Sequence, residues 1–159
     1  MILTGNEIKK SVIDGSITIE PFNSSFINPN SYNYRIGKFY KCLPGDEMYE
    51  MNEEGLLLIP GKLYLFSTIE TIGSDKYVIS LIGRSSVGRL GIFVQCHSDM
   101  SNLGSSHKWT LEISCIQPVK IYPDMNIGQV SFWVPKGSID SLYTEKYNNY
   151  NLPHESILK

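Results

Sequence analysis

Two of the three arginines in this 159-residue chain lie in one glycine- and serine-rich segment, Gly83-Arg84-Ser85-Ser86-Val87-Gly88-Arg89. Glycine allows a ligand to approach the backbone, serine supplies hydroxyl and amide donors, and the guanidinium fork of arginine matches phosphate oxygens. The residues alone fit a phosphate-binding turn and equally an ordinary strand-to-helix turn with a serine cap. No Gly-Lys-Ser/Thr follows the glycines, so the segment is not a Walker loop.

Glu112 is the second residue with chemical potential, because it interrupts the otherwise apolar segment Trp109-Thr110-Leu111-Glu112-Ile113. A glutamate in such a strand must face solvent, pair with a cation, or lie in a cleft that raises its pKa. The solvent-facing position is the ordinary one. In a cleft, Glu112 would be a candidate general acid and base.

The histidines do not form a metal-binding pattern. His97, His107 and His154 have no HxxxH or HxE spacing, and no Pro-Cys-x-x-Cys segment is present. The zinc-dependent nucleobase deaminase signature is therefore missing. Cys96 and His97 are adjacent, and neighbouring residues of a strand point to opposite faces.

Composition indicates one intracellular domain. The length suits a single domain, and a net charge of −2 creates no general attraction for nucleic acid or an anionic membrane. A phosphate ligand would therefore need a local site. The three cysteines, Cys42, Cys96 and Cys115, are odd in number and lack CxxC spacing, which is typical of reduced core residues in a cytoplasmic protein. We find no signal-peptide pattern and no apolar run near the ~20 residues that span a bilayer.

The elements that must position these residues are nearly all strands. Thr4-Gly5-Asn6-Glu7 predicts a capping box and a short helix to about Val12, ended by Asp14-Gly15. Short β-branched or aromatic runs then alternate with turn residues, which predicts a sandwich or barrel. These runs are Ile17–Glu20, Leu56–Ile59, Leu63–Phe66, Tyr77–Ile82, Gly91–Gln95, Trp109–Ile113, Val119–Tyr122 and Val130–Val134.

Five motifs in the same order resemble the dCTP deaminase family over most of the chain. They are Ile27–Gly37 after Pro21-Phe22, Gly83–Gly91, Thr110–Ile113, Tyr122–Val130, and Tyr143-x-x-Lys146-Tyr147 with Ser156. The resemblance implies a distorted β-barrel or jelly roll of the dUTPase-like kind with a short N-terminal helix. It also implies a homotrimer with active sites between subunits, a single domain over residues 1–159, and a C-terminal lid over residues 143–159. Composition alone leaves open whether that polar tail is a lid or a loose terminus.

The resemblance also implies a mechanism without zinc. Glu112 would take a proton from water, hydroxide would attack C4 of cytosine, and the proton would pass to N3 before ammonia leaves. Ser85 and Arg89 would position the water and Glu112.

Further residues are implied to bind the substrate. Mg²⁺ would bridge the oxygens of the triphosphate. Arg84 and Ser86 would hold phosphates, Lys146 and Tyr143 would close on the phosphate tail, Gln129 would lie near the base, and Cys96, Ser98 and Tyr150 would line the substrate site.

The loop before Glu112 departs from the family pattern. Ser98 stands where alanine usually lines the base pocket, and His97 replaces threonine. Ser105 replaces the aromatic residue that packs by the sugar. Asn102 replaces an aspartate that activates water in dUTPases and bifunctional relatives, and an amide is not a useful base. Tyr150 stands where a glutamine often meets the terminal phosphate.

These observations predict deamination of a 2′-deoxycytidine nucleotide, with dCTP converted to dUTP. The alternatives are a dUTP or dCTP diphosphatase of the same fold, a non-catalytic nucleotide-binding regulator, and a deaminase of a modified or ribo-cytidine nucleotide. Asn102 weakens the first alternative, and the retained Glu112 and Arg89 weaken the second, because a binder has no need of a buried acid–base residue.

Overall fold

The computed structural model describes residues 1–95, 98–144 and 150–157, and its described part is mainly β. Eleven strands are assigned there, together with two helices and a 3₁₀ turn at Ser24–Phe26. The helices are α1 (Gly5–Ile13) and α2 (Ser85–Gly88). The strands are β1 (Thr18–Glu20), β2 (Ile27–Asn28), β3 (Ser31–Leu43), β4 (Tyr49–Glu50), β5 (Leu56–Leu58), β6 (Leu63–Gly73), β7 (Val78–Gly83), β8 (Ile92–Val94), β9 (Ser106–Cys115), β10 (Val119–Ile121) and β11 (Asn126–Trp133).

Nine of these strands form one antiparallel sheet that curls into a nearly closed barrel. Its main path runs β7-β11-β3-β6-β9-β8, while β1 pairs with β6 and both β2 and β4 pair with β3. Strands β10 and β5 form a separate pair. Alternating residues of the long strands point inward, so the core is a single cluster that includes Tyr34, Phe66, Leu111 and Phe132. The mainly β, barrel-like fold predicted from the sequence is confirmed.

The long central strand β3 is the main element that the apolar pattern did not predict. Its sequence, Ser31–Leu43, mixes polar, aromatic and basic residues, yet its first four residues are buried. Polar groups there find partners inside the sheet. Arg35 donates from its backbone N and its Nε to the fully buried carboxylate of Glu70, at 2.9 and 2.7 Å. A buried carboxylate paired in this way satisfies its charge.

An irregularity in β6 shapes the neighbouring strand β9. The register between the two strands shifts between Ser67 and Thr71, so residues 68–70 have no regular partners in β9. The Thr68 hydroxyl donates to the Glu70 carbonyl oxygen at 2.7 Å and accepts from Trp109 N at 2.9 Å. Bulges of this kind re-aim the side chains of a strand. Here the bulge lies opposite Trp109, in the half of β9 that precedes Glu112.

The loop before β9 covers the outer edge of β7. Asp99 O accepts from Leu81 N at 2.7 Å, and Ser101 N donates to Ile79 O at 2.8 Å. Ser80 and Met100 pair as an isolated antiparallel bridge. The loop therefore acts as a short extra strand, which satisfies an edge that would otherwise expose its backbone groups.

The N-terminal helix confirms half of the predicted capping box. Thr4 is the N-cap, and its hydroxyl accepts from Glu7 N at 3.4 Å. The Glu7 carboxylate contacts Lys10 Nζ at 3.4 Å and not the backbone of Thr4. The reciprocal bond was therefore predicted wrongly, because an i,i+3 lysine competes for the carboxylate.

Two further sequence predictions concern cysteines and membranes. Cys115 is buried and Cys42 is half-buried, and both are free thiols; Cys96 lies outside the described residues. No helix among the described residues is both long and apolar enough to cross a membrane.

Candidate active site

Glu112 borders a cavity of about 250 Å³ between β9 and the loop that precedes it. Its wall combines hydroxyl, amide and aromatic side chains with a single carboxylate among the described lining residues. The lining residues are Gln95, Ser98, Met100, Ser101, Asn102, Ser105, His107, Trp109, Thr110, Glu112, Tyr143 and Tyr150. The structure therefore brings four of the predicted site residues to one cavity: Glu112, Ser98, Tyr143 and Tyr150.

Gln95 joins the strand that carries Glu112 to the cavity loop. Gln95 N donates to Glu112 O, and Glu112 N donates to the Gln95 side-chain Oε1, both at 2.9 Å. The Gln95 Nε2 then donates to Ser98 O at 3.1 Å. Gln95 has a φ of 55°, an uncommon conformation for a residue other than glycine. This residue follows β8, turns the chain, and bonds the loop to β9.

The end of the cavity remote from Glu112 is polar and buried. Ser101, Ser105 and His107 are buried. The His107 ring packs on Trp109 with 4.3 Å between ring centroids, and Trp109 Nε1 donates to Ile72 O at 3.0 Å. Burial lowers the pKa of His107 below its usual 6.5, so the ring is neutral at pH 7.

Asn102 and Asp99 have different surroundings. Asn102 lines the cavity, whereas the Asp99 carboxylate accepts from the Ser80 hydroxyl at 3.1 Å. Asp99 is not among the residues that line the cavity. The nearby aspartate therefore does not take the place that Asn102 occupies.

The C-terminal segment packs beside the cavity. Tyr143 N donates to Leu103 O at 2.7 Å, next to Gly104, whose φ is 93°. A Cβ on Gly104 would lie 2.8 Å from Leu142 Cβ and 3.0 Å from Tyr143 N. Glycine at this position therefore lets the tail cross the loop closely.

Residues 150–157 continue across β9 towards β3. Tyr150 stacks on His154 with 3.9 Å between ring centroids, and His154 N donates to the Thr110 hydroxyl at 3.4 Å. Lys41 Nζ contacts the Glu155 carboxylate at 2.5 Å. A second cavity of about 320 Å³ lies here, with Glu112 and Thr110 shared between the two.

The predicted phosphate segment lies apart from this cavity within one chain. Arg84 occupies the N-cap position of the four-residue helix α2 without a side-chain cap bond, and Arg89 follows its last residue. Ser85, Ser86 and Arg89 are exposed. None of these residues lines the cavity that holds Glu112. The local structure is thus a strand-to-helix turn, with its arginines and serines turned to the surface.

Three other predicted substrate-binding residues lie outside the cavity or outside the described chain. Gln129 is in β11, where its Nε2 donates to Asn33 Oδ1 at 3.4 Å. It does not line the cavity. Cys96 and Lys146 lie outside the described residues.

Sequence reasoning missed several lining residues, above all Gln95, His107 and Trp109. His107 was considered only as a metal ligand, and Trp109 only as an apolar strand residue. The alternation of a regular strand would place Trp109 and Glu112 on opposite faces. Both nevertheless line the cavity, which no local signal in β9 predicts. In the described part of the chain, no three His, Cys, Asp or Glu side chains are grouped as metal ligands.

Comparison with curated proteins finds similar proteins that align with nearly the whole chain. The chain is 42% identical over 159 residues to "dCTP deaminase, dUMP-forming" of Clostridium beijerinckii, covering 94% of this chain and 91% of the relative. It is 42% identical over 168 residues to the protein of the same name from Hathewaya histolytica, covering 99% and 97%. A third relative of that name, from Cytophaga hutchinsonii, is 41% identical over 168 residues and covers 99% and 96%.

A solved structure shares the fold. The crystal structure of 2′-deoxycytidine 5′-triphosphate deaminase from Agrobacterium tumefaciens matches with a TM-score of 0.71 at 19% identity. The match covers 84% of this chain and 48% of that one, so this chain spans about half the length of the solved protein. A family model described as dCTP deaminase-like matches residues 2–134. The chain belongs to the dCTP deaminase-like family.

Proposed function

We propose that this protein hydrolytically deaminates dCTP, with Glu112 as the general acid and base. The observation that carries the proposal is the position of Glu112: a carboxylate on a core strand, beside a cavity lined by hydroxyl, amide and aromatic side chains, in a chain of this family. The names of the relatives specify dCTP as their substrate.

In the proposed reaction, Glu112 accepts a proton from water as the oxygen attacks C4 of cytosine. The carboxyl group then delivers that proton to N3, which gives a neutral tetrahedral centre. Proton transfer to the exocyclic amine and cleavage of the C4–N4 bond release ammonia and leave uracil. A carboxylate within hydrogen-bonding reach of water and ring can make each of these transfers. The two hydrogen bonds between Gln95 and Glu112 fix the backbone that carries the carboxylate.

The names of the relatives change the expected final product from dUTP to dUMP. We therefore propose that a second water cleaves the triphosphate after deamination, releasing pyrophosphate. A second candidate, in which the reaction stops at dUTP, is favoured by Asn102. This amide lines the cavity where a carboxylate would activate that water, and the Asp99 carboxylate is bonded to Ser80.

One assay separates these products. The protein is incubated with dCTP, and ammonia, pyrophosphate, dUMP and dUTP are quantified over time. Equal amounts of ammonia, pyrophosphate and dUMP support the proposal. Ammonia with dUTP and without pyrophosphate supports the second candidate, and Asn102→Asp should then restore pyrophosphate release. Failure to release ammonia from dCTP would overturn both.

We also propose that the active site is shared between subunits of a homotrimer. Ser85, Ser86 and Arg89 are exposed, and no residue of the segment 84–89 lines the Glu112 cavity of its own chain. In a closed ring, the same segment of a neighbouring subunit can approach that cavity, with Ser85 and Arg89 directed to Glu112 and with Arg84 and Ser86 directed to phosphates.

Mg²⁺ is proposed to accompany the nucleotide. Apart from Glu112, which the proposed reaction uses, the described cavity wall offers neutral oxygen donors such as Ser98 and Asn102, which suit a hard cation but supply no charge. The ion would therefore be held mainly by phosphate oxygens, and it would reduce the repulsion that the triphosphate meets on binding. A cytoplasmic location is proposed on the ground of the free thiols Cys42 and Cys115.

A further inference from the structure

An open cleft with residues from α1, β3 and the chain that follows β1 lies apart from the Glu112 cavity. Its volume of about 660 Å³ is within the range of sites that bind small organic ligands. Its described lining residues include two cations and no carboxylate, and none of them lines the Glu112 cavity. The cleft therefore favours an anionic ligand. The lining residues are Lys9, Pro21, Phe22, Asn23, Ser24 and Arg35.

Arg35 presents its guanidinium to this cleft in a fixed orientation. Its Nε donates to the Glu70 carboxylate at 2.7 Å, and its Cζ lies 5.4 Å from the centre of the Phe26 ring. The side chain is 22% exposed, and the described hydrogen bonds of Arg35 use its backbone N and its Nε. Among the described contacts, the two Nη groups therefore remain for a ligand. A guanidinium held in this way matches the oxygens of a phosphate.

Lys9 adds the positive charge that Arg35 shares with Glu70. It is exposed on α1 and takes part in no ion pair among the described residues, whereas its neighbour Lys10 contacts Glu7 at 3.4 Å. Ser24 is also exposed, and its described hydrogen bond uses its backbone O, so its hydroxyl can donate to a ligand. This set of groups suits the charge of about −2 on a single phosphate group better than the larger charge of a triphosphate.

Phe22 gives the cleft an aromatic face. Its ring stacks on that of Tyr32, with 5.6 Å between the centroids and 20° between the planes. Tyr32 is fully buried, and its hydroxyl accepts from Asn23 N at 3.0 Å, so the support of the Phe22 ring is fixed. One face of this half-buried ring is covered by Tyr32 while the ring also lines the cleft, which leaves its other face for a second planar group. Stacking of a nucleobase on such a face is tolerant of base identity.

We propose that this cleft is a second nucleotide site, which binds a nucleoside monophosphate with its phosphate on Lys9 and Arg35 and its base on Phe22. The two cations alone would suit any small anion, and the aromatic face is what favours a nucleotide. The cleft is built on β3, two strands from β9 along the sheet. Binding there depends neither on the Glu112 cavity nor on the chemistry proposed for it.

Calorimetric titration with adenosine monophosphate (AMP) tests the second nucleotide site. The probe is a purine because the proposed reaction assigns the Glu112 cavity to cytosine, whereas stacking on Phe22 accepts any base. We expect one AMP to bind per chain, at least tenfold more tightly than inorganic phosphate. Lys9→Gln removes a charged hydrogen-bond donor and Phe22→Leu removes the stacking face, so each should weaken AMP binding about tenfold. Lys10→Gln, on the same helix but outside the cleft, should bind AMP as the wild type does.

The second nucleotide site would be overturned if AMP failed to bind the wild type, or if Lys9→Gln kept the wild-type affinity. Inorganic phosphate that binds as tightly as AMP would overturn it too, as would a loss of AMP binding in Asn102→Ala, which alters the Glu112 cavity. Lys9→Gln should leave kcat and the KM for dCTP unchanged. Circular dichroism melting shows whether Phe22→Leu folds; if it does not, Lys9→Gln, at an exposed position, decides.

Discussion

Gln95 is the residue whose role depends most on the geometry of the site. Its side chain accepts from Glu112 N and donates to Ser98 O, so one amide joins the strand that carries Glu112 to the cavity loop. Its backbone lies at a φ of 55°, which is sustained only because the surrounding contacts hold it there. We therefore regard Gln95 as a positioning residue for Glu112.

Replacement of Gln95 by leucine should lower kcat about tenfold and leave the KM for dCTP nearly unchanged. Leucine keeps the volume and removes both side-chain bonds, so Glu112 loses alignment while the substrate contacts remain. Gln95→Glu, which keeps the acceptor for Glu112 N, should recover part of the loss. Gln117→Leu is the control, because Gln117 makes one similar bond to Leu90 O outside the cavity. Equal losses in Gln117→Leu and Gln95→Leu would refute the assignment.

At this scale, the sequence predicts some site residues and misses others for a physical reason. Glu112 could be singled out because a carboxylate in an apolar strand needs an explanation, and the family motif supplied one. Ser105 could be singled out only as a departure from the family pattern, and His107 could not, because its place in the cavity wall depends on how the loop before β9 folds against the strand. Gln95 could not, because its partners are set by the turn that it makes.

At the scale of secondary-structure elements, the close packing of β11 against its two neighbouring strands can be tested by mutation. Gly128 lies where β11 passes between β3 and β7, and a Cβ there would meet Tyr34 Oη at 2.1 Å and Ile82 O at 2.5 Å. Tyr34 is fully buried, and its hydroxyl donates to Ile82 O at 3.2 Å. The fit of these three strands therefore depends on the missing side chain.

Gly128→Ala should lower the free energy of unfolding by about 1–3 kcal/mol, as overpacking of a core does. Denaturant titration with circular dichroism measures this. Gly88→Ala provides the control, because no atom lies within 4 Å of a Cβ at that position and its φ is not positive. A Gly128→Ala protein as stable as the control would contradict the prediction, because β11 could then move away from β3 and β7 at little cost.

The C-terminal segment is held by an ion pair that makes a second prediction at this scale. Lys41 is 12% exposed in its side chain, and its bond to Glu155 joins the tail to β3. Lys41→Met should make chymotrypsin cleavage near Tyr150 about threefold faster or more, because the tail leaves β9 more often. Lys38 lies elsewhere on β3 and forms an exposed ion pair with Glu50. Lys38→Met removes this pair and should leave the cleavage rate unchanged. Equal rates in the two variants would contradict this.

The same ion pair gives the tail a pH dependence. The hydrogen bond from Lys41 holds the pKa of Glu155 below its usual 4.5. When the tail is detached, the Glu155 carboxyl has its higher, usual pKa. The bond between Lys41 and Glu155 therefore stabilises the docked tail fully above pH 4.5. This stabilisation is lost as the pH falls through the lower pKa of the docked carboxyl. Cleavage of the wild-type tail should therefore accelerate with acid at those pH values, and Lys41→Met should lose this dependence. Cleavage of the tail at these pH values is measured with a protease that is active in acid, such as pepsin.

The elements themselves were predicted with mixed success. The apolar runs gave the positions of β1, β5, β7, β8, β10 and β11 to within a few residues, because their burial follows local alternation. Strands β6 and β9 are longer than predicted, and β3 was not predicted as a strand, since its polar groups are satisfied by partners such as Glu70. The bounds of these three strands are set by pairing with strands distant in sequence, and the local apolar pattern does not show that pairing.

At the scale of the whole molecule, the proposed trimer predicts a particle of about 54 kDa from three 18.0 kDa chains. Light scattering coupled to gel filtration measures the mass. A monomer of 18.0 kDa that releases ammonia from dCTP would contradict the shared site, because Arg89 lies outside the cavity of its own chain.

Mixed trimers test sharing directly. Glu112→Gln and Arg89→Ala chains, each inactive alone, are co-expressed in equal amounts. If each site takes Glu112 from one chain and Arg89 from the next, random mixing in a closed ring restores about a quarter of wild-type ammonia release. No recovery on mixing would contradict the shared site, because it would mean that one chain must supply both residues to the same site.

The central claim is that the Glu112 carboxylate performs the deamination, and one measurement tests it most directly. Ammonia release from dCTP is followed for the wild type, Glu112→Gln and the control Glu50→Gln, with dCTP affinity measured in parallel; Glu50 pairs with exposed Lys38 away from the cavity. The account predicts that Glu112→Gln lowers kcat at least a thousandfold while dCTP still binds, and that Glu50→Gln retains the wild-type rate. A Glu112→Gln protein with the wild-type rate would contradict it.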